Sequence, residues 1–249
     1  MKGKHALTLV DVIMIALFAA LCYLMLMVLF IPVGPMFFHV GNLIVVTAAL
    51  LIGGFKGGLA GAVGMGLFDL LNGHADSAPK TLVLKLLIGL TVGAVFSLYQ
   101  KYEKGFPRKT LAAIAAVFLI LCGGLLLFSL AWYERLTFTC GVLAAVCGVL
   151  FLLFLVFALL GKRLPARAAW AYIAACAGMA VNLLGETLYK FVYYLMLGNS
   201  VPAAGTLAVL EQSSTLINAL VAVIGGVALY LAVYRPYAAL RRSFGRESV

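Results

Sequence analysis

The chain has 249 residues, 65% of them hydrophobic and only 10% charged, with a formal net charge of +10. A water-soluble domain is near half apolar and a quarter charged. This composition therefore excludes a soluble globular fold and points to an all-α integral membrane protein, whose apolar runs reach the ~20 residues that span a bilayer. The positive charge sits in short polar segments between apolar runs, which speaks for membrane topology and against a nucleic-acid partner.

In chain order the apolar runs predict eight membrane helices, at about 8–31, 39–53, 56–72, 80–100, 108–132, 137–161, 168–197 and 206–234. The first follows a short basic start, Met1–His5. It is longer than the roughly 7–15 residues of a signal-peptide core and lacks an A-x-A site, so it reads as a retained helix. The segment IPVGPMFFH (31–39), with two prolines and no charge, then leads into the second run, which opens on His39 and Asn42.

The second and third runs meet at Gly53–Gly54, as two short helices or as one broken pair lining a cavity. The stretch GGFKGGLAGAVGMGLFDLLNG (53–73) holds eight glycines. Gly54, Gly57, Gly58, Gly61 and Gly64 recur at spacings of three and four, which makes a smooth flank where helix backbones approach closely. The stretch has no G-x-x-x-x-G-K-[ST], so it is not a phosphate loop. Close packing leaves Asp69 unexplained; it lies beside Asn72, where the third run meets the polar loop NGHADSAPK (72–80).

Alternate loops divide the cations. Lys2, Lys4, Lys56, Lys101, Lys104, Arg108, Lys109, Lys162, Arg163, Arg167, Arg235, Arg241, Arg242 and Arg246 fall on one side, 14 of the 18 lysines and arginines. Lys80 and Arg135 fall on the other. By the positive-inside rule both termini are cytoplasmic. Cys22, Cys122, Cys140, Cys147 and Cys176 all lie in apolar runs without C-x-x-C spacing, so they read as small buried hydrophobes and neither a metal nor a cofactor is expected.

Lys85, Glu186 and Lys190 lie inside predicted spans, where an ionisable group costs ~2.5–3.5 kcal/mol at the helix centre unless partnered. Glu186 and Lys190 are four apart on one helix face, with Asn182, Tyr189 and Tyr193 on or beside it. At 1.5 Å per residue, Glu186 lies about 16 Å, Lys190 about 10 Å and Lys85 about 7 Å from the outer ends of their helices. These groups, with His39, Asn42, Asp69 and Asn72, converge on the outer half of the membrane. Two readings follow: a structural Glu186–Lys190 ion pair, or a cavity for a small, partly polar, aromatic solute stacked on tyrosines. No G-x-S-x-G, H-E-x-x-H or Walker A motif is present, so the chain is not expected to be an enzyme and cannot hydrolyse ATP by itself.

Four stretches carry a family resemblance: IALFAALCYL (15–24), IPVGPMFFHVGN (31–42), the glycine run with its D-L-L-x-G ending, and APKTLVLKLLIG (78–89). INALVAVIGGVALYLAV (217–233) adds a looser match to a last helix. Together they resemble the substrate-binding S component of an energy-coupling factor (ECF) vitamin transporter. The resemblance covers about 8–100 and, more loosely, 168–234. It implies a single membrane domain in the cell membrane of a prokaryote: a six-helix core with about two additional helices at 101–167 and a cytoplasmic tail at 235–249. It further implies uptake of a vitamin or precursor of pyrimidine, pyridoxine or flavin type, with a transmembrane T subunit and two cytoplasmic ATPases as partners. Ala16 and Ala20 would contact the T subunit. Pro32–His39 would form a lid, and His39, Asn42, Asp69, Asn72 and Lys85 would touch the ligand. Asn182, Glu186, Tyr189, Lys190 and Tyr193 join that set on the intramembrane-polarity argument.

The alternative is a proton-coupled secondary transporter in which Glu186 titrates. That architecture calls for paired broken helices in two inverted halves, and the sequence offers a glycine-rich break only in the first half.

Overall fold

In a computed structural model, residues 7–29, 31–33, 36–102, 107–132, 137–160 and 165–246 are described. Lys2, Lys4, Lys104, Arg135, Lys162, Arg163 and, within the first loop, Gly34 and Pro35 lie outside them. The elements in chain order are α1 (Leu9–Val28), β1 (Ile31–Val33), β2 (Met36–Phe38), α2 (Gly41–Ile52), α3 (Gly54–Leu71), α4 (Ala78–Tyr102), α5 (Arg108–Trp132), α6 (Thr137–Leu160), α7 (Ala166–Met196), α8 (Val201–Leu210) and α9 (Gln212–Arg246). Five helical stretches among the described residues are long and apolar enough to cross a membrane: Leu9–Val28, Ala78–Tyr99, Leu143–Leu160, Ala166–Met196 and Val201–Leu240. The protein is thus an all-helical membrane fold with one small ornament, the antiparallel β1–β2 pair, in which Ile31 faces Phe38.

Local chemistry sets the helix ends. Thr8 and Asp11 form a reciprocal capping box at the start of α1, each side chain meeting the other's backbone N–H at 3.2 Å. Asp11 also pairs with Lys56, which ties α1 to α3. Of the two arrangements left open at Gly53–Gly54, the structure forms two helices. Gly53 takes φ +98°, a conformation other residues rarely adopt, and so separates α2 from α3 in one step. With 12 residues, α2 rises only about 18 Å, well short of the ~30 Å hydrocarbon thickness.

The glycine run packs as its spacing predicts. A Cβ at Gly58 would stand 2.8 Å from the Leu86 carbonyl oxygen, and one at Gly54 would stand 2.6 Å from that of Gly89. So α3 and α4 cross backbone to backbone. The same helix meets α1 and α2 on its other sides. Cys22 is fully buried where α1 approaches Gly64, and the thiols of Cys22, Cys122, Cys147 and Cys176 are free. The side chain of Cys140 lies outside the described residues.

Two expectations change. The run predicted as one helix at 206–234 is two: α8 ends at Leu210, capped by Glu211, and α9 starts at Gln212, running on through Pro236 to Arg246. The sequence there, EQSST (211–215), is a polar break inside an apolar run, and it makes the break without glycine. The first half therefore does not hold the only interrupted helix. At the start of α7, Arg167 donates to the Tyr230 hydroxyl at 2.9 Å. Its guanidinium lies 4.0 Å from the Tyr234 ring centroid and 5.8 Å from that of Tyr99. This cage joins α4, α7 and α9. The α5–α6 hairpin, stacked through Phe118 and Phe154 at 6.0 Å, packs on α9 through α6.

Candidate functional site

At the other end of α7 a cavity of about 360 Å³ opens between α2, α3, α4, α7 and the α8–α9 break. That volume lies within the ~300–1,000 Å³ typical of small-molecule sites. Its wall includes His39, Asn42, Asp69, Lys85, Asn182, Glu186, Tyr189, Lys190 and Tyr193. Nine of the ten sequence-selected ligand residues are thus brought together from four helices and the loop before α2. Asn72 is not in the wall. Its side-chain amide donates to the Phe68 carbonyl at 2.9 Å and closes the last turn of α3.

The tightest part of the cavity is polar. Lys85 is 3% exposed and Asn182 and Asn42 are each 2% exposed. The Lys85 ammonium donates to Asn182 Oδ1 at 3.1 Å, linking α4 to α7. His39 is fixed by its backbone N–H, which donates to Asn218 Oδ1 of α9 at 3.1 Å. Among the described residues, the imidazole Nδ1 of His39 and Oδ1 of Asn42 are buried with no hydrogen-bond partner.

The outer part carries paired charges. The structure does not form the Glu186–Lys190 pair that i,i+4 spacing allows. Glu186 instead pairs with Lys80 at 2.9 Å, and Lys190 with Glu211 at 3.0 Å. Each lysine finds its carboxylate on another element, so the pairs join α7 to α4 and to the α8–α9 break. Lys190 also donates to the Glu211 carbonyl at 3.2 Å, and the Tyr194 hydroxyl donates to the Glu211 carboxylate. Asp69 accepts from the Thr81 hydroxyl at 2.5 Å.

Aromatic rings line the same region. Tyr189 and Tyr193 stack with centroids 6.3 Å apart and planes 17° apart. Lys80 Nζ sits 4.7 Å from the Tyr189 centroid. Phe68 lines the wall and meets Tyr23 edge-on at 6.0 Å.

Sequence reasoning missed several wall residues: Lys80, Thr81, Glu211 and Asn218 among the most polar, with His74 and Asp76 in the loop before α4. By sequence Lys80 falls in an outer loop. Glu211 lay inside a predicted span and carried the same signal as Glu186, an ionisable group in an apolar run. Among the described residues no group of three or more His, Cys, Asp or Glu side chains is placed to hold a metal. Ala16 and Ala20 lie elsewhere, exposed on the side of α1 away from its buried Phe18, Ala19, Cys22 and Leu26.

A family model described as ECF-type riboflavin transporter, S component, matches residues 6–164, a range that takes in α1 through α6. No curated protein and no solved structure matches the chain. A polytopic helical membrane protein with a solute-sized polar cavity is what a substrate-binding transport subunit requires, and the family match covers well over half of the chain. The chain belongs to the ECF-type riboflavin transporter S component family.

Proposed function

We propose that this protein binds a flavin-like vitamin or precursor from outside the cell and delivers it as the substrate-specific subunit of an ECF-type importer. The observation that carries the reading is the cavity itself: polar and charged at its buried end, flanked by stacked tyrosines, and walled by both the family-matched helices and α7. Stacked rings offer a face to an aromatic solute, while the buried amides and Lys85 read its substituents.

In this reading the partners are a transmembrane T subunit and two cytoplasmic ATPases, which supply the energy that a chain without a Walker A motif cannot. Ala16 and Ala20 on the outward side of α1 form the contact with the T subunit, since small residues let helices approach closely. The β1–β2 segment is the lid. Both termini face the cytoplasm of a prokaryotic cell, in line with the distribution of lysine and arginine. The core is α1–α4 with α7–α9, to which the α5–α6 hairpin is added.

The test is uptake of labelled riboflavin by cells expressing this chain with and without the ATPase subunits, together with mass spectrometry of whatever co-purifies with the detergent-solubilised protein. ATPase-dependent uptake supports the reading. Uptake that persists without any ATPase subunit overturns it in favour of a carrier driven through Glu186.

A further inference from the structure

At the end of the bundle away from the cavity the charge balance is one-sided. By the alternation of loops, 14 of the 18 lysines and arginines fall on that side, against three acids, Asp11, Glu103 and Glu247. Asp11 is taken by Lys56. Arg167, in the first turn of α7, forms no salt bridge among the described residues. Its guanidinium carries five N–H donors. One goes to the Tyr230 hydroxyl, and the rings of Tyr234 and Tyr99 hold the group in place. Arg235 follows Tyr234 directly on α9 and is exposed, as are Arg108 and Lys109 at the start of α5.

The depth of this cage identifies what can reach it. Tyr193, on the cavity wall, lies about 39 Å farther along α7 at 1.5 Å per residue. That exceeds the ~30 Å hydrocarbon thickness, so the cage sits among the headgroups of the opposite leaflet, where tyrosines and cations gather. We propose that Arg167 and Arg235 form a binding site for the phosphate of an anionic phospholipid in the cytoplasmic leaflet, with Arg108 and Lys109 adding to the positive field. The planar guanidinium fork matches phosphate oxygens. Leu98 and Leu229, each exposed and one residue from a cage tyrosine, offer apolar surface to the acyl chains. A zwitterionic headgroup would bring its own cation against Arg235. An acidic protein surface would stand farther out in the water, beyond the half-buried Arg167. The leaflet follows from the topology proposed above; the site itself is independent of the solute in the cavity. A lipid seated there bridges the inner ends of α4, α7 and α9.

Native mass spectrometry of the purified full chain in detergent tests this, with phosphatidylglycerol and phosphatidylcholine of identical acyl chains as probes. Phosphatidylglycerol is expected to bind at least about fivefold more tightly, the factor that one lysine or arginine contributes near an anionic surface. In Arg167→Gln and in Arg235→Gln that preference is expected to fall to less than about twofold. Arg235 is exposed and stands outside the tyrosine cage, so Arg235→Gln decides even if Arg167→Gln fails to fold. Equal binding of the two lipids by the unaltered chain overturns the inference and leaves this face to an acidic protein partner. A preference that survives Arg235→Gln undiminished overturns the assignment of the site. Displacement of phosphatidylglycerol by an equal concentration of glycerol phosphate, which has no acyl chains, shows a soluble anion to be the occupant and overturns it likewise. None of these outcomes bears on vitamin binding, which is read at the cavity.

Discussion

Lys85 is 3% exposed, and among the described residues its side-chain nitrogen donates to Asn182. An ammonium so enclosed persists when each donor has a partner. Lys85→Ala removes the donor and leaves Asn182 Oδ1 unpaired, so ligand affinity should fall at least tenfold, about 1.4 kcal/mol. Glu186→Gln, which uncouples Lys80 beside the Tyr189 ring, should cost a similar factor. Asn72→Ala should leave affinity within about twofold, because the Asn72 amide is spent on the α3 terminus. Binding titrations of the three variants check this. Equal losses in all three would point to general destabilisation rather than to the cavity.

At the scale of elements, α3 is the hub. Its glycines place its backbone against α4, and Lys56 ties it to α1. At Gly58 the atoms a Cβ would meet belong to the α4 backbone, which cannot rotate away. Gly58→Val should therefore destabilise by ~1–3 kcal/mol, as overpacking does, and lower the thermal midpoint in detergent. Gly123→Ala on α5, where a Cβ meets nothing within 4 Å, should leave it unchanged or raise it. Equal midpoints for the two variants would contradict the close crossing.

Much of this level was legible. The spacing of glycines at three and four foretold the packed flank, and a single charge in an apolar run marked Glu186 and Lys85. What could not be read was pairing across elements. Periodicity places Glu186 and Lys190 on one face, but only the tertiary arrangement brings Lys80 and Glu211 close enough to take them. The break at Glu211 carries no glycine signature; EQSST interrupts the apolar run with polar side chains instead.

For the whole molecule, the cavity and the outward side of α1 are separate surfaces. Ala16 and Ala20 are exposed, while the adjacent Phe18, Ala19 and Cys22 are buried against the core. Ala16→Trp with Ala20→Trp should abolish uptake in cells while binding of the vitamin by the purified chain stays within about twofold. Loss of both activities together would mean that the substitutions had disturbed the fold rather than a docking surface. Membership of the family accounts for a division of labour in which binding and energy supply reside in different chains.

The two ends of α7 have a consequence for motion. Its first turn is held by Arg167 among Tyr230, Tyr234 and Tyr99, and its last turns by the salt bridges of Glu186 and Lys190. A helix pinned at both ends cannot turn about its long axis without breaking both sets of contacts at once. So α7 behaves as a fixed strut, with Asn182, Glu186 and Tyr189 kept in one rotational phase. The opening that admits a solute must then come from the parts around it, the β1–β2 lid, the 72–77 turn and the short α8, rather than from the helix that carries Asn182, Glu186 and Tyr189 into the wall.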